Sequence, residues 1–338
     1  ILASAGIGAI LAPPVMGAAA FLIAEFLNIS YFGVVKMAAI PAALYYCSIV
    51  VTVEADSRRL ALRRSDVPTR SLAAVTRGGW FYFLSIAAIL VFMARGSTAF
   101  SAVFWATVIA AGASFLSRDH ALWPRRLVAA LSAGGIGIVP VVATTAAAGI
   151  IVGVVTLTGL GLKAASLIVT LAGDHQFLTI LYSAAAVWVL GLAVPVTASY
   201  IIAAVMVAPA LTEVGISPSA AHMFIFYYAV LSEVSPPTAL SPFAAAAITG
   251  GRPFRTTMLT WKYTIPAFVV PFVFTVSPRG AAVLMQGSAV TVVWVSIVAA
   301  AGLALIAAGA GGYVWRRPAT TIERAAAIAA GLAVLWLI

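Results

Sequence analysis

The residues with chemistry to offer gather around two pairs of consecutive prolines, Pro13–Pro14 and Pro236–Pro237, each inside a long apolar run. Proline has no backbone N–H and its ring clashes with the carbonyl four residues earlier, so two in a row break a helix and free several carbonyl oxygens. In hydrocarbon an unmet carbonyl is costly, and such a break must face protein or a water-lined cavity. Gly6, Gly8 and Gly17 flank the first pair; Glu233 and Ser235 precede the second. A third interruption, Pro195–Val196–Thr197–Ala198–Ser199, cuts the apolar region between 176 and 213. Carbonyls, hydroxyls and a carboxylate make a hard-oxygen environment suited to a small cation such as sodium. Helix halves that stop at such a point also aim partial charges at it. Catalysis is not indicated: His120, His175 and His222 share no metal spacing, and no nucleophile lies beside Asp174–His175.

The elements that must hold these residues are membrane helices. Of 338 residues, 63% are hydrophobic and 8% charged, against roughly a quarter charged in soluble domains. Lipid is the solvent such a chain needs, and the predicted class is an all-α polytopic membrane protein. Apolar runs of span length fall at 33–53, 78–94, 99–116, 130–157, 256–277, 288–312 and 322–338, and the proline-broken runs cover 5–27 and 219–250. The net charge of +10 is concentrated in four short segments, Arg58–Arg77, Arg118–Arg126, Arg252–Arg255 and Arg316–Arg324. That is the distribution of loops held on the cytoplasmic side beside anionic lipid, and it argues against nucleic acid as a partner. Arg95 and Arg279 stand outside it as single residues.

Pinned by these segments, two spans separate each basic loop from the next, provided that 176–213 returns to the side where it began. Each arm of that region, 177–192 and 198–213, rises only about 24 Å as helix, short of the ~30 Å hydrocarbon core. A re-entrant helical hairpin is predicted, dipping in from outside with Pro195–Ser199 near the membrane centre; two tilted full spans satisfy the same count.

The same pins send the broken run 5–27 outwards and the run 219–250 inwards. Their sequences match: PPVMGAAAF starts at Pro13 and PPTALSPFAAAA at Pro236. Downstream, KMAAIPAAL (Lys36–Leu44) answers KYTIPAFVV (Lys262–Val270), 23 and 26 residues past the first proline of each pair. A broken helix, a lysine and a span with Ile–Pro near its start thus recur in opposite directions, the pattern of an inverted-topology repeat in an ion-transporter-like fold. Chance similarity between Ala-rich segments is the competing account. The predicted divisions are 1–53, the first broken helix and its span; 54–129, basic loops and a two-span scaffold hairpin; 130–277, the second repeat with hairpin 176–213 and broken helix 219–250; and 278–338, C-terminal spans.

Four stretches, AGIGAILAPPVMGAAAFLIAEFL, AAGIIVGVVTLTGLGLKAASLIV, GLAVPVTASYIIAAVMVAPALTEVGI and FYYAVLSEVSPPTALSPFAAAAITGGRPF, together resemble the large membrane subunit of tripartite ATP-independent periplasmic (TRAP) transporters. The chain looks most like the form in which small and large membrane subunits are fused, the form paired with binding proteins of the TAXI type. The resemblance runs over nearly the whole chain and is least distinctive over 60–125. It implies uptake of organic anions across a bacterial inner membrane, driven by sodium, with a separate periplasmic substrate-binding protein delivering the substrate. It also implies a scaffold and a moving transport domain with two hairpins and two broken helices, working as an elevator. The region 176–213 would be the second hairpin; the first hairpin and the small subunit, or a fused N-terminal segment, would lie upstream of Ile1.

By position, the resemblance implies sodium contacts at Gly6, Gly8, Pro13, Thr197, Glu233, Ser235 and Pro236, and substrate contacts at Pro14, Gly17, Pro195, Thr197 and Ser199. The hairpin tip reads Pro-Val-Thr where the family usually has Pro-Thr-Thr. Ser235 keeps a hydroxyl where the family has threonine, and Ala12 stands where the fused form commonly has serine. No cofactor is implied; sodium is the coupling ion.

Two other classes fit less of the sequence. One is a stand-alone proton- or sodium-coupled inverted-repeat carrier, which needs no binding protein. The other is an intramembrane lipid-modifying enzyme, which needs a catalytic cluster that does not appear. Among single residues, Glu233 is an intramembrane carboxylate with sodium, a proton or Lys262 as its expected partner. Lys36 and Lys262 are expected to snorkel to an interface or cap a helix. Cys47 reads as a small buried apolar residue. Trp80, Trp123, Trp188, Trp261, Trp294, Trp315 and Trp336 read mostly as interfacial anchors.

Overall fold

The structure, a computed structural model, describes residues 1–61, 71–117, 121–173, 175–192, 194–314 and 317–338. The expectations that fall on Arg63, Arg64, Arg70, Arg118, His120, Asp174, Trp315 and Arg316 lie outside the described residues.

Helices α1 (Leu2–Leu11) and α2 (Ala19–Phe26) flank the first proline pair, and α3 (Tyr31–Arg59) follows. Next come α4 (Leu72–Gly79), a 3-10 turn at Trp80–Phe83, α5 (Leu84–Ala94), α6 (Ala99–Ala113), α7 (Pro124–Leu157) and α8 (Leu160–Ala172). The hairpin region contains α9 (Gln176–Gly191), α10 (Val196–Met206) and α11 (Ala208–Glu213). Helix α12 (Pro218–Leu231), a 3-10 turn at Ser232–Val234 and α13 (Leu240–Thr249) carry the second proline pair. The chain continues through α14 (Pro253–Val276), α15 (Ala289–Gly311) and α16 (Thr321–Leu335). Serine and threonine caps start several of these: the side chains of Ser30, Ser217, Ser288 and Thr320 accept from backbone N–H groups in the first turns of α3, α12, α15 and α16.

Among the described residues, six helices are long and apolar enough to cross a membrane: Tyr31–Arg59, Thr76–Ala94, Ala99–Leu116, Pro124–Leu157, Pro253–Val276 and Ala289–Gly311. The chain is an all-α polytopic membrane protein. Three details differ from the sequence expectation. Helix α16 has 15 residues, fewer than the run 322–338 suggested. Helix α8 follows α7 as a separate helix where no element was predicted, the chain turning at Gly159 with a φ of 66°. The second hairpin arm is two helices, because Pro209 offers no N–H to the carbonyl of Val205 and the helix restarts at Ala208.

The core centres on α12. Every residue from Ala220 to Leu231 is buried, as expected of a helix that is apolar all round. It packs against α9, α10 and α14, and more lightly against α1 and α2. By contrast only 11–12% of the apolar windows of Thr76–Ala94, Ala99–Leu116 and Pro124–Leu157 is covered, leaving those faces open to lipid or to other helices.

Hydrogen bonds fix how each broken helix meets the span after it. Tyr31 donates to the Pro14 carbonyl and Tyr45 to the Ser4 carbonyl, both at 2.8 Å, so α3 runs back along α1 and α2. Trp261 donates to the Val234 carbonyl and Tyr228 to the Phe268 carbonyl, both at 2.9 Å, so α14 runs back along the second broken helix. Helix α1 in turn packs on α13 and on the turn Ser232–Val234.

Candidate functional site

The two proline breaks trace the same backbone path. Ala12 (φ −91°, ψ 130°) and Ser235 (φ −109°, ψ 137°) are extended. Each precedes a cis Pro–Pro bond. Met16 and Ala239, each three residues past the first proline, are left-handed, with φ 44° and 38°. One backbone bond closes each turn: Met16 N–H to Ala12 O at 3.3 Å, and Ala239 N–H to Ser235 O at 2.9 Å. Neither methionine nor alanine favours positive φ; in each case the closed turn holds it there.

Side chains answer most of what the prolines leave open. At the first break the Tyr31 hydroxyl reaches the Pro14 and Val15 carbonyls, at 2.8 and 3.1 Å, with Phe21 stacked on its ring at 4.2 Å. Pro13 and Pro14 offer no N–H to the carbonyls of Ala9 and Ile10. At the second break Ser235 donates to the Leu231 carbonyl at 2.7 Å and accepts from the indole N–H of Trp188 at 2.8 Å. The indole of Trp261 bonds the Val234 carbonyl, and Thr238 donates to the Ser232 carbonyl at 3.1 Å.

Trp188 and Trp261 therefore correct the expectation of interfacial anchors. Their rings lie 5.7 Å apart against the second break, because an indole offers the one N–H that a proline-freed carbonyl or a serine lone pair needs while presenting apolar surface elsewhere. Thr238 also escaped the sequence reading, although a hydroxyl just past a proline pair is a usable signal.

The hairpin tip meets this second break. Pro195 caps α10 without a side-chain bond, and Thr197 and Ser199 lie in the first turn. The Ser199 N–H bonds the Pro195 carbonyl, while the N–H groups of Val196, Thr197 and Ala198 have no intrahelical acceptor. Ser199 is fully buried and its hydroxyl has no hydrogen-bond partner among the described residues. A Cβ placed on Gly191 would stand 2.8 Å from the Ser232 Cβ and 3.0 Å from the Ser199 Oγ, so glycine is what lets the end of α9 touch the break. Thr197 and Glu233 are half-buried. Glu233 has no ion-pair partner among the described residues.

Of the expected residues, the structure sets Ser199 near Ser232, the chain neighbour of Glu233, and holds Ser235 against Trp188 of α9, while α1, which leads into Pro13, Pro14 and Gly17, packs on the turn Ser232–Val234. Gly6 and Gly8 stand apart from the turn, inside regular α1 helix. Gly8 is packed under the ring of Tyr46, where a Cβ would come within 2.6 Å of the hydroxyl; Gly6 has nothing within 4 Å.

Lys262 pairs with Asp56 and not with Glu233. Its Nζ lies 2.5 and 2.6 Å from the two carboxylate oxygens of Asp56, and Tyr263 donates to the same carboxylate at 2.6 Å. Lys36, its expected counterpart, is exposed, 5.6 Å from the ring of Phe32. Asp56 was missed because it sits beside Arg58 and Arg59 and reads as part of the basic loop. Cys47 is exposed rather than buried, since it lies on the outward face of α3.

No curated protein matches the chain. The model of a family described as "Tripartite ATP-independent periplasmic transporter, DctM component" matches residues 1–280. With that match over most of a largely helical chain, the chain belongs to the DctM component family, a transporter permease component and not an enzyme.

Proposed function

We propose that this permease component takes up organic anions, carboxylates, across a bacterial inner membrane by coupling them to sodium. The observation that supports this is the buried Ser199 hydroxyl, without a hydrogen-bond partner among the described residues, at the point where a helical tip approaches Ser232 of the second proline break. A buried hydroxyl without a partner costs about 1–3 kcal/mol, and a bound ion removes that cost. In this reading Thr197, Glu233 and the backbone at Ser235 and Pro236 hold one sodium. Pro13 and the end of α1 hold another; Gly6 and Gly8, one turn or more upstream, serve it only as part of that helix. The substrate carboxylate is taken by the open N–H groups at the start of α10, flanked by Pro195, Thr197 and Ser199 and facing Pro14 and Gly17.

Ser235 acts chiefly through its carbonyl, since its hydroxyl is engaged by Trp188 and Leu231. The hairpin region and the two broken helices move together as an elevator. A periplasmic substrate-binding protein and a small membrane subunit, or a fused N-terminal segment, complete the system.

Reconstituted full-length permease tests this. Uptake of a carboxylate that requires both a sodium gradient and the binding protein is expected. Uptake that needs neither would replace the proposal with a stand-alone carrier.

A further inference from the structure

Away from the breaks, a cavity of about 880 Å³ opens between α9, α14 and α16. Its wall is aromatic and aliphatic, with Phe177, Trp188, Phe268, Phe272, Leu335 and Trp336 prominent. Three of its polar side chains are already engaged, and the indole of Trp336 is exposed at one end. Tyr228 donates to the Phe268 carbonyl, Ser277 to the Ile338 carbonyl and the Trp188 indole to Ser235. A polar guest finds little to bind.

The cavity has the depth of one leaflet. From Phe177 to Trp188 α9 rises about 16 Å at 1.5 Å per residue, half of the ~30 Å hydrocarbon core. Its open end is taken to be where α9 begins and α14 and α16 end, because the lining residues there, Phe177, Trp336 and Leu337, are exposed. Two residues beyond Ser277 stands Arg279, exposed and without an ion-pair partner among the described residues. Arg279 is also one of the two arginines that the cytoplasmic clustering of charge does not explain.

We infer that this cavity holds one acyl chain of an anionic phospholipid from the outer leaflet, with the lipid phosphate at Arg279. Chain length, apolar wall and a single cation at the mouth all fit that one molecule. The deep end of the cavity is Trp188, the residue that bonds Ser235, so the lipid tail bears directly on the contact between the hairpin arm and the second break. Lipid retention is a binding property and is measured without transport, so it stands or falls separately from sodium coupling.

The experiment uses the purified full-length permease, delipidated in detergent and titrated with phosphatidylglycerol or phosphatidylcholine under native mass spectrometry. Wild type is expected to retain one phosphatidylglycerol. Ala185→Trp, which fills the cavity from α9, should lower retention of both lipids by about tenfold. Arg279→Gln should reduce phosphatidylglycerol to the level of phosphatidylcholine and leave the latter unchanged. Val269→Phe serves as a second filling variant, with melting temperature and gel filtration checking that each protein is folded. Equal retention by wild type and both folded filling variants overturns the proposal. So does the absence of retained lipid in wild type, or the finding of a second copy or another protein segment cross-linked into this face.

Discussion

The indole N–H of Trp188 donates to the hydroxyl of Ser235 across 2.8 Å, joining the first arm of the hairpin region to the residue that opens the second break. The Ser235 hydroxyl in turn donates a hydrogen bond to the Leu231 carbonyl, so the indole bond extends a short chain that reaches the end of α12. Removing the donor leaves a buried oxygen short of a partner. Trp188→Phe is expected to cost about 1–3 kcal/mol and to lower the melting temperature of the purified permease. Because the two indoles are in contact, Trp188→Phe and Trp261→Phe together should differ from the sum of the single losses. Strict additivity would show that the two bonds act independently.

The Asp56–Lys262 pair joins α3 to α14 with side chains only 12% and 21% exposed. Breaking a buried pair from one side costs roughly 3–5 kcal/mol, because the remaining charge is left alone. Lys262→Met should therefore destabilise the protein more than the double variant Asp56→Leu with Lys262→Met. Thermal unfolding in detergent measures both; a double variant as unstable as the sum of the two singles contradicts the pairing.

Gly191 and Gly6 make a contrast. Gly191→Ala forces its new methyl against Ser232 and Ser199, an overpacking that costs about 1–3 kcal/mol and separates the tip from the break. Uptake should fall sharply while the protein remains folded. Gly6→Ala meets nothing and should stabilise α1 by up to about 1 kcal/mol. Equal effects at the two positions would mean that the α9–Ser232 approach is unimportant.

The orphaned Ser199 separates two roles by sign. If the site that its hydroxyl adjoins takes sodium, wild type should melt higher in sodium chloride than in choline chloride, by the ordinary linkage of ligand to stability. Ser199→Ala and Glu233→Gln should each shrink that difference. Without an ion role, Ser199→Ala simply removes an unmet buried polar group. It then raises the melting temperature equally in both salts.

Much of this was legible from local chemistry. Composition required lipid, proline pairs required breaks, and the two runs 5–27 and 219–250 appear as α1–α2 and α12–α13 almost at their predicted bounds. Two helices meet at the predicted polar tip, but of its residues only Pro195 lies between them: α10 begins at Val196, so Val196–Ser199 form its first turn. The matching path of the breaks was foreshadowed by the matching Pro-Pro sequences, since the same local restraint acts at both.

What stayed hidden was the identity of the partners. Each segment states its own shortage: Pro237 and Pro14 announce carbonyls without donors, and a lysine inside an apolar span announces an unmet charge. Which residue meets the shortage depends on what packing brings near, and sequence distance does not limit that. Trp188 reaches Ser235 from 47 positions away and Lys262 reaches Asp56 from 206. Sequence alone therefore determined where this chain must break and in what medium; tertiary structure decided which side chains close each break and which, like Ser199 and Glu233, find no partner among the described residues, because only close packing selects among donors and acceptors that are otherwise alike.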